Sequence, residues 1–351
     1  MPERCTTNQE RQINRQLSPD QCFMFQDSPY LQRCSFSRVS ACPTPTWLHE
    51  FHREHTFDRP FLSLFVGCNK GIDAVNALRM GSNNAKYDVA SWSETLSQGT
   101  SPIEAGFANS SCDQFGKKQV DVASSDGTSP SLHPRQAHVY CFEPLSVTYH
   151  ELNRTAQQMQ WGDAFIVEQA AFGGAPGILN VPSMGVEKGL ENNGLEEFES
   201  KCHQLRDEKL CDQVPIYTID DYVSRKLPHD RPIDYLSIDV EGYDYDVIMA
   251  SRETLPRIHY LEFEYSWVGP WKDQSLQDLI EFLEDEGFAC YWPSDFGALW
   301  RITGCWQHFY RVHVWSNVAC VNVRAEAAAP LARKMEEAFL ATLEDNSIRI
   351  Q

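Results

Sequence analysis

The sequence lacks three features, and each absence narrows its function. No run of about 18 apolar residues occurs, so we expect no membrane-spanning helix in this chain. Basic residues are scarce, with 30 Lys and Arg against 49 Asp and Glu and a formal net charge of −19. Such an acidic chain repels phosphate backbones, which argues against nucleic acid as a partner. Cys-x-x-Cys pairs are absent and the acids have no histidine at ligand spacing, so we predict no metal site.

Cysteine, by contrast, is abundant. Twelve cysteines occur, and four of them (Cys5, Cys22, Cys34 and Cys42) lie in the first 42 positions. That density suits disulfides in an oxidising compartment. The polar N-terminus does not have the pattern of a signal peptide, which points to the cytoplasm. The compartment therefore stays open: cytoplasmic by the absence of a targeting segment, or the lumen of the secretory pathway if the N-terminal cysteines are disulfide-bonded.

Composition divides the chain into three parts, the second of which contains an insertion. Residues 1–60 are polar and loop-like and form a cysteine-containing arm, with several large apolar residues available to dock it onto the body. Residues 61–324 alternate strand and helix patterns and form the main domain. Within it, residues 79–136 are rich in Ser, Gly, Asn and Asp, which predicts a long polar insertion that is a solvated loop or a lid. Residues 325–351 form a tail with apolar residues at helical spacing.

The stretch around which the chain is organised runs from Ile233 to Asp246. Residues 233–238 have the pattern of a short buried strand, and Asp239 and Glu241 follow directly. In open α/β sheets, ligands bind outside the carboxyl ends of the strands, so both acids are expected in an active cleft. The alternative is that they only cap the following helix, predicted over residues 243–251.

Two earlier strand ends carry matching signals. Residues 61–66 are a continuous apolar run, followed by a turn with Gly67, Asn69 and Gly71 and then a helix pattern. Glycines let a backbone approach a ligand closely, and a helix N-terminus offers unpaired N–H groups. The next strand, residues 137–142, ends at Glu143, in the position of an acid that accepts hydrogen bonds from ribose hydroxyls. A plain tight turn and an ordinary strand-end acid are the alternatives.

The remaining elements follow in order. A third strand is expected over residues 165–173, with small Ala170 and Ala171 at its end, where a flat base would fit. Residues 173–212 are mostly charged and suggest a solvated surface. Thr218 begins a capping box before a short helix. Strands are expected at 258–265, 288–292 and 312–323, and helices at 146–160, 275–286 and 331–344.

Six of these motifs in series resemble the FkbM family of S-adenosylmethionine-dependent methyltransferases. They are Val66-Gly67-Cys68-Asn69-Lys70-Gly71, Phe142-Glu143-Pro144, Ala170-Ala171-Phe172-Gly173, Thr218-Ile219-Asp220-Asp221-Tyr222, the run 233–242, and Leu261-Glu262-Phe263-Glu264. The resemblance extends from about residue 61 to about residue 292 and is interrupted by the insertion.

The resemblance implies a class I methyltransferase (Rossmann-like) α/β fold. This is a doubly wound, seven-stranded, mostly parallel sheet with one antiparallel strand near the edge and helices on both faces. It also implies methyl transfer from S-adenosyl-L-methionine to a hydroxyl of a sugar, glycan or other small natural product. Carried over residue by residue, the cofactor contacts are Gly67, Asn69 and Gly71 for the methionine part, Glu143 for the ribose, Ala170 and Ala171 for the adenine, and Asp239 for the methionine end or the acceptor.

Catalysis would need a group that takes the proton of the acceptor hydroxyl. Asp239, Glu241 and Glu264 are the candidates by position, with His259 after them. Six tryptophans after residue 260 could form part of a sugar site or simply pack in the core. The oligomeric state cannot be derived from the sequence.

The chain also departs from the family pattern. Phe65 stands where the family usually has an Asp, and Glu143 follows Gly71 by 72 positions, far more than the roughly 20 of a simple βαβ step. Two other functions therefore stay open. One is a methyltransferase-like module that binds or scaffolds without catalysis. The other is an NAD-dependent oxidoreductase, which the absent third glycine argues against.

Overall fold

The computed structural model describes residues 2–17, 21–25, 28–35, 39, 42–55, 57–98, 135–183, 189, 195–205, 210–294 and 296–345. Its strands are β1 (Gln21–Phe25), β2 (Ser28–Ser35), β3 (Phe61–Val66), β4 (Ala137–Phe142), β5 (Phe165–Glu168), β6 (Ala171–Phe172), β7 (Gly177–Pro182), β8 (Cys211–Tyr217), β9 (Ile233–Ile238), β10 (Ile258–Tyr265), β11 (Phe288–Pro293), β12 (Leu299–Arg301) and β13 (Ser316–Asn322).

The helices alternate with these strands through most of the chain. They are α1 (Thr7–Leu17), α2 (Thr46–Glu54), α3 (Ile72–Ser82), α4 (Val89–Ser97), α5 (Ser146–Met159), α6 (Leu195–Leu205), α7 (Ile219–Lys226), α8 (Asp244–Met249), α9 (Leu276–Asp285) and α10 (Ala329–Glu344). None of the helices in the described residues combines the length and the apolar character that crossing a bilayer requires.

The central sheet has the strand order β12-β11-β13-β10-β9-β3-β4-β5 among the described residues. The five strands from β5 to β10 are parallel, and β13 runs antiparallel to β10 and β11. This confirms the expected doubly wound sheet with one antiparallel strand near the edge. The short β12 pairs with β11 and adds an eighth strand to the seven expected.

The strand order reverses between β3 and β9. From β3 the chain proceeds outward through β4 and β5, and it then returns to place β9 on the other side of β3. Both β3 and β9 are almost entirely buried, because most of their side chains are apolar on both faces. A crevice forms outside the carboxyl ends of such strands, where the neighbouring connections diverge. The two sequence motifs at residues 67–71 and 239–241 lie there.

The prediction that residues 1–60 are loop-like is wrong. Helices α1 and α2 and the hairpin β1–β2 lie in this arm. The arm is fastened to the end of the chain, since Cys5 is disulfide-bonded to Cys305 and Lys334 of α10 lies 2.9 Å from Glu54. The expected docking by large apolar residues is confirmed for Trp47, Leu48 and Phe51, which are buried.

The insertion does not begin as a polar loop at residue 79. Helix α3 continues to Ser82, and α4 follows, with Asp88 accepting a hydrogen bond from the Ser91 N–H as its N-cap. Trp92 and Leu96 of α4 are buried in the core. Helix α4 was not predicted because most of its residues are small and polar, and only Trp92 and Leu96 are buried. Residues 99–134, the rest of the predicted insertion, lie outside the described residues.

Residues 171–217 also contain more structure than a solvated surface. Strands β6, β8 and β7 form a second sheet, and Cys202 of α6 is disulfide-bonded to Cys211 of β8. A separate small core lies beneath them and includes Leu179, Val181 and Phe198. Consequently the third strand ends at Glu168 rather than at Gly173, because Ala171 and Phe172 pair with β8.

The later helix predictions are confirmed. Thr218 caps α7 by accepting a hydrogen bond from the Asp221 N–H at 3.1 Å. Ser275 caps α9 in the same way, and the apolar stripe of α10 is buried at Leu331, Met335 and Phe339. These helices follow the amphipathic 3.6-residue period, so the sequence pattern was sufficient to find them.

Candidate active site at the carboxyl ends of the strands

Two of the three strand ends are joined through backbone contacts. The Asp239 N–H donates to the Val66 carbonyl at 2.9 Å. Gly67 has φ +81°, and a Cβ built on it would lie 1.7 Å from the carbonyl oxygen of Asp239. Only glycine fits here, both for its backbone angle and for this close approach. The glycine turn and the carboxylate run at the end of β9 are therefore direct neighbours.

Glu143 connects the third strand end to the same turn. Its Oε2 accepts a hydrogen bond from the Asn69 N–H at 3.0 Å, and its Oε1 accepts one from the Leu145 N–H at 2.9 Å. The side chain is only 7% exposed. Burial raises the pKa of Glu143 to about 7, and the charge of Glu241 adds to this, while the two backbone donors oppose it.

A disulfide fixes the turn from the other side. Cys68, between Gly67 and Asn69, is bonded to Cys141 of β4, two residues before Glu143. The N–H of Cys68 also donates to the Phe142 carbonyl at 2.8 Å. The turn after β3 thus has covalent and hydrogen-bonded connections to the end of β4, so the relative position of Asn69 and Glu143 is closely fixed.

Asn69 itself has an unusual conformation. Its φ is +45°, in the left-handed region that Asn tolerates better than most residues. Its side-chain Oδ1 is buried and has no hydrogen-bond partner. Gly71, with φ +73°, then begins α3, and the Trp92 ring packs beside it. A buried acceptor without a donor lowers the stability of the folded protein, so it is unusual at a helix N-terminus. A donor group of a bound ligand would form the missing hydrogen bond.

Phe65 occupies the position where the related family has an acid. The side chain is 4% exposed, and its ring packs edge-on against Tyr235 at a centroid distance of 5.0 Å. This position is apolar core, so the amino group of a ligand would have to find its acceptor elsewhere on the edge.

Ala170 lies in the connection from β5 to β6, and Ala171 is the first residue of β6. They are 2% and 3% exposed, and Ala171 belongs to the small core under β6–β8. Gln169, just before them, donates to the Pro144 carbonyl and to Ser146, which joins this segment to the connection after Glu143. The pair is therefore beside the Glu143 strand end, although its side chains contact protein.

Four carboxylates gather beyond β9 and β10. Asp239 is exposed, and Glu241, with φ +54°, is partly buried. Asp244 is 0% exposed at the start of α8, and Glu264, near the end of β10, is 9% exposed. Burial raises the pKa of Asp244 and of Glu264 well above the ordinary range, and the charge of Glu241 contributes to both. Burial is thus the main cause of the raised pKa at both of these acids.

Asp244 was not among the residues singled out from the sequence. As the first residue of a helix, it has the pattern of an ordinary N-terminal acid that interacts with the helix dipole. Only its burial against β10 distinguishes it from such an acid: its Oδ1 accepts from the Glu264 N–H at 3.3 Å. The repetition of acids at 239, 241, 244 and 246 was the available signal.

His259, the weakest of the candidate bases, lies far from the other three. It is the second residue of β10, and its Nδ1 lies 3.6 Å from Asp234, at the beginning of β9. Glu264 follows it by five positions of extended strand, a distance of roughly 16 Å. His259 therefore lies at the opposite edge of the sheet from the four carboxylates.

The tryptophans divide between core and site. Trp271, Trp292 and Trp300 are each 0% exposed, and Trp306 packs against the core. Trp315 is 38% exposed, and its indole N–H donates to Glu264 Oε1 at 2.5 Å. Core packing thus accounts for most of these residues, whereas Trp315 places an aromatic ring beside the acids. Among the described residues, no three or more His, Cys, Asp or Glu side chains are arranged to hold a metal.

The fold and the edge together define a class of protein. A mostly parallel sheet of this order, with an antiparallel strand inserted near one edge and a glycine turn after its first strand, is the class I methyltransferase architecture. Residues 121–290 match the family model of the methyltransferase FkbM domain. The match begins after the glycine turn and covers Glu143, Asp239 and Glu264.

Two further comparisons add context. No curated protein matches the chain significantly. Among solved structures, a METTL16 MTase domain is similar at 10% sequence identity with a TM-score of 0.32; the match covers 78% of this chain and 64% of that one.

Proposed function

We propose that this methyltransferase-family protein uses S-adenosyl-L-methionine to methylate a hydroxyl group of a sugar, a glycan or another small natural product. The observation that carries the proposal is the convergence of three distant segments, at 67–71, 143 and 239–241, on one edge of the sheet. Contacts of 2.9 Å between Asp239 and Val66 and 3.0 Å between Asn69 and Glu143 join them.

The residues present fit this cofactor. The unpaired, buried Oδ1 of Asn69 and the exposed carboxylate of Asp239 supply acceptors for the ammonium group of its methionine part. Gly67 and Gly71 bring backbone close to the same place. Glu143 keeps one free acceptor position on each oxygen after its two backbone hydrogen bonds, which suits ribose hydroxyls. Ala170 and Ala171, small residues beside that strand end, would border the adenine.

The cofactor would supply an electrophilic methyl group on a sulfonium centre. The protein's own task is then to align the acceptor oxygen with that carbon, to keep water out and to accept the hydroxyl proton. Asp239, Glu241 and Glu264 lie on the correct edge for the last of these tasks. Trp315, partly exposed beside Glu264, would offer a flat face to a sugar ring.

A second candidate function rests on Phe65. Since an apolar ring replaces the usual acid, the chain could have kept the fold and lost catalysis, serving instead as a binding or scaffold module. An NAD-dependent oxidoreductase is the weaker enzyme alternative. Calorimetry with S-adenosylhomocysteine and with NAD separates the three. Binding of the former supports the methyltransferase, binding of NAD alone supports the oxidoreductase, and binding of neither supports the inactive module.

Glu143→Ala tests the ribose contact directly. We expect it to weaken S-adenosylhomocysteine binding by about 1–3 kcal/mol, because a charge-assisted hydrogen bond is lost. Glu281→Ala, at an exposed position on α9, is the matched control and should bind normally. An unchanged dissociation constant for Glu143→Ala would refute the role. An acceptor screen with a labelled methyl donor would then identify the substrate.

We further propose that the protein folds in an oxidising compartment. Four disulfides lie within the described residues: Cys5–Cys305, Cys68–Cys141, Cys202–Cys211 and Cys290–Cys320. Such bonds are rare where thiols are kept reduced. This favours the secretory-pathway lumen over the cytoplasm. Mass spectrometry of alkylated protein isolated from its native cells, without reduction, tests it: free thiols at these eight positions would contradict the proposal.

A further inference from the structure

Two buried carboxyls at the edge described above each have an oxygen without a partner. Asp244 is 0% exposed and Glu264 is 9% exposed. Asp244 Oδ2 and Glu264 Oε2 are shielded from solvent and have no hydrogen-bond partner. A buried polar atom left unpaired destabilises the folded state, so each one in a native protein calls for an explanation. Two of them on neighbouring residues call for a common explanation.

The Asp244 carboxyl contacts the backbone of Glu264, and the two residues are electrostatically coupled. The Glu264 N–H donates to Asp244 Oδ1 at 3.3 Å, and the charge on Asp244 raises the pKa of Glu264. Asp239 and Glu241, from the same connection after β9, raise the pKa of Asp244 further. Two buried carboxyls that repel each other when charged do not both ionise readily. They lose their protons in two separate steps, and the apparent pKa values of these steps belong to the pair.

We propose that Asp244 and Glu264 hold one proton between them, and that the ionised Glu264 takes the proton of the acceptor hydroxyl during methyl transfer. This inference rests on the proposed function. In the step, the acceptor O–H bond breaks and its proton passes to Glu264. The acceptor oxygen forms a bond to the methyl carbon, and the electron pair of the broken carbon–sulfur bond remains on sulfur. Asp244 is a positioning residue that sets the ionisation of Glu264.

The groups around Glu264 act in opposite directions. Burial disfavours its charged form, as do the carboxylates of Glu241 and Asp244 on the connection from β9 to α8. Trp315, just before β13, donates its indole N–H to Oε1, and Ser266, just after β10, also favours the charged form. Since one neighbour can be removed on each side, the protonation of Glu264 can be moved in either direction.

The test uses the pH dependence of kcat/KM in the full-length protein with the acceptor found by the screen. In Asp244→Asn the pair loses one of its two ionisable groups, so Glu264 no longer competes with a second buried carboxyl for the negative charge and we expect the acidic limb to move to lower pH by about one unit. In Trp315→Phe a hydrogen bond to the charged form is lost, so the limb should move to higher pH. Asp246→Asn, a neighbouring acid on α8 hydrogen-bonded by Gln274, should leave the limb in place.

A readout without activity keeps the pair separate from the proposed function. The side-chain carboxyl resonance of Glu264 in 13C-labelled protein, assigned with Glu264→Gln, can be titrated without substrate. A downward shift in Asp244→Asn and an upward shift in Trp315→Phe support the pair even if S-adenosylhomocysteine does not bind. A titration that neither variant moves, in proteins whose thermal unfolding shows them to be folded, overturns it. So does a Glu264→Gln variant with undiminished turnover.

Discussion

The central sheet has an amino edge, where its parallel strands begin, and a carboxyl edge, where they end. Buried carboxylates at these two edges have opposite environments. At the amino edge, Asp234 of β9 is 3% exposed, and all its acceptor demand is met. Arg59 donates to both its oxygens at 2.7 and 2.6 Å, and the Leu62 N–H donates at 2.9 Å. Burial opposes ionisation, but hydrogen bonds from His259 and Arg59 outweigh it and lower the pKa of Asp234. At the carboxyl edge, Asp244 and Glu264 are equally buried, yet each has an unpaired oxygen and a raised pKa.

This difference separates a structural acid from a candidate catalytic one. A buried charge with a complete set of donors contributes to folding, and removing it leaves its partners unpaired. A buried acid that lacks a hydrogen-bond donor lowers the stability of the free protein. A ligand or a proton must then satisfy its unpaired oxygen. Strand β9 thus has near its start an acid that stabilises the fold, and it is followed by the acids for which we propose a role in catalysis.

The largest effect is expected at the amino edge. Asp234→Ala should lower the free energy of unfolding by about 3–5 kcal/mol, because the Arg59 guanidinium is left without its partner. Because the folded-state pKa lies below the ordinary 3.8, this stabilisation is present above that pH and is lost as the pH falls below it. Urea denaturation measures the change, with exposed Asp230→Ala as the control. A loss no larger than that of the control would remove the contrast between the edges.

The disulfide at the carboxyl edge comes next. Replacing Cys68 and Cys141 by Ser should destabilise the fold by about 2–4 kcal/mol, since the bond closes a loop of 73 residues. It should also weaken S-adenosylhomocysteine binding, because the glycine turn loses its fixed position beside Glu143. Replacing Cys290 and Cys320, which join β11 and β13, is the comparison and should leave binding unchanged. Equal binding by both variants in calorimetry would show that the turn needs no covalent constraint.

Asp244→Asn should have the opposite sign from Asp234→Ala. We expect the free energy of unfolding to rise by about 1–2 kcal/mol at pH 8, because the buried pair that shares one negative charge loses one of its two carboxyls. The pKa of Asp244 is higher in the folded protein than in the unfolded chain. Its contribution to stability is therefore fully present below the ordinary pKa of 3.8 and is lost as the pH rises towards the folded-state pKa. The gain should therefore shrink at pH 4. Denaturation at both pH values measures it, and a destabilised variant at pH 8 would place Asp244 with the structural acids.

The smallest effect is expected at Glu143. Its buried carboxyl accepts two backbone hydrogen bonds, fewer donors than Asp234 has and more than Asp244 has. Its pKa of about 7 means that it is partly protonated near neutrality. Ribose hydroxyls favour the charged form, so S-adenosylhomocysteine should bind about tenfold more weakly at pH 6 than at pH 8, or roughly 1.4 kcal/mol. In Glu143→Gln this pH dependence should disappear. Calorimetry at the two pH values checks both, and a slope that persists in the variant would assign the titration to another group.

Much of the fold could be predicted from local patterns. Strands β3, β4, β9 and β10 are apolar runs of strand length, and α5, α7, α9 and α10 show helical spacing or caps that a reader of the sequence can find. Elements without such patterns were missed. The arm with α1 and α2 and the second sheet are rich in polar residues, because each buries only a narrow face, against α10 or over a small core.

The candidate site divides in the same way. Gly67, Asn69, Glu143 and Asp239 stood out because each follows a strand, where parallel sheets bind ligands. Asp244 could not be distinguished from a capping acid, and His259 could not be assigned to an edge, because a strand's sequence does not show how far along the sheet a ligand lies. Among the tryptophans, only burial separated Trp315 from the core residues.

By itself the sequence determined the alternation of strands and helices and the chemistry at the strand ends, because hydrophobic period and turn residues act over a few positions. Tertiary structure alone decided which carboxylates are buried, which of them have their hydrogen bonds formed and which lie close to one another. These properties depend on neighbours far away in the chain, such as Arg59 for Asp234, Glu264 for Asp244 and Cys141 for Cys68. The electrostatic character of a carboxylate belongs to its surroundings, and the surroundings exist only after folding.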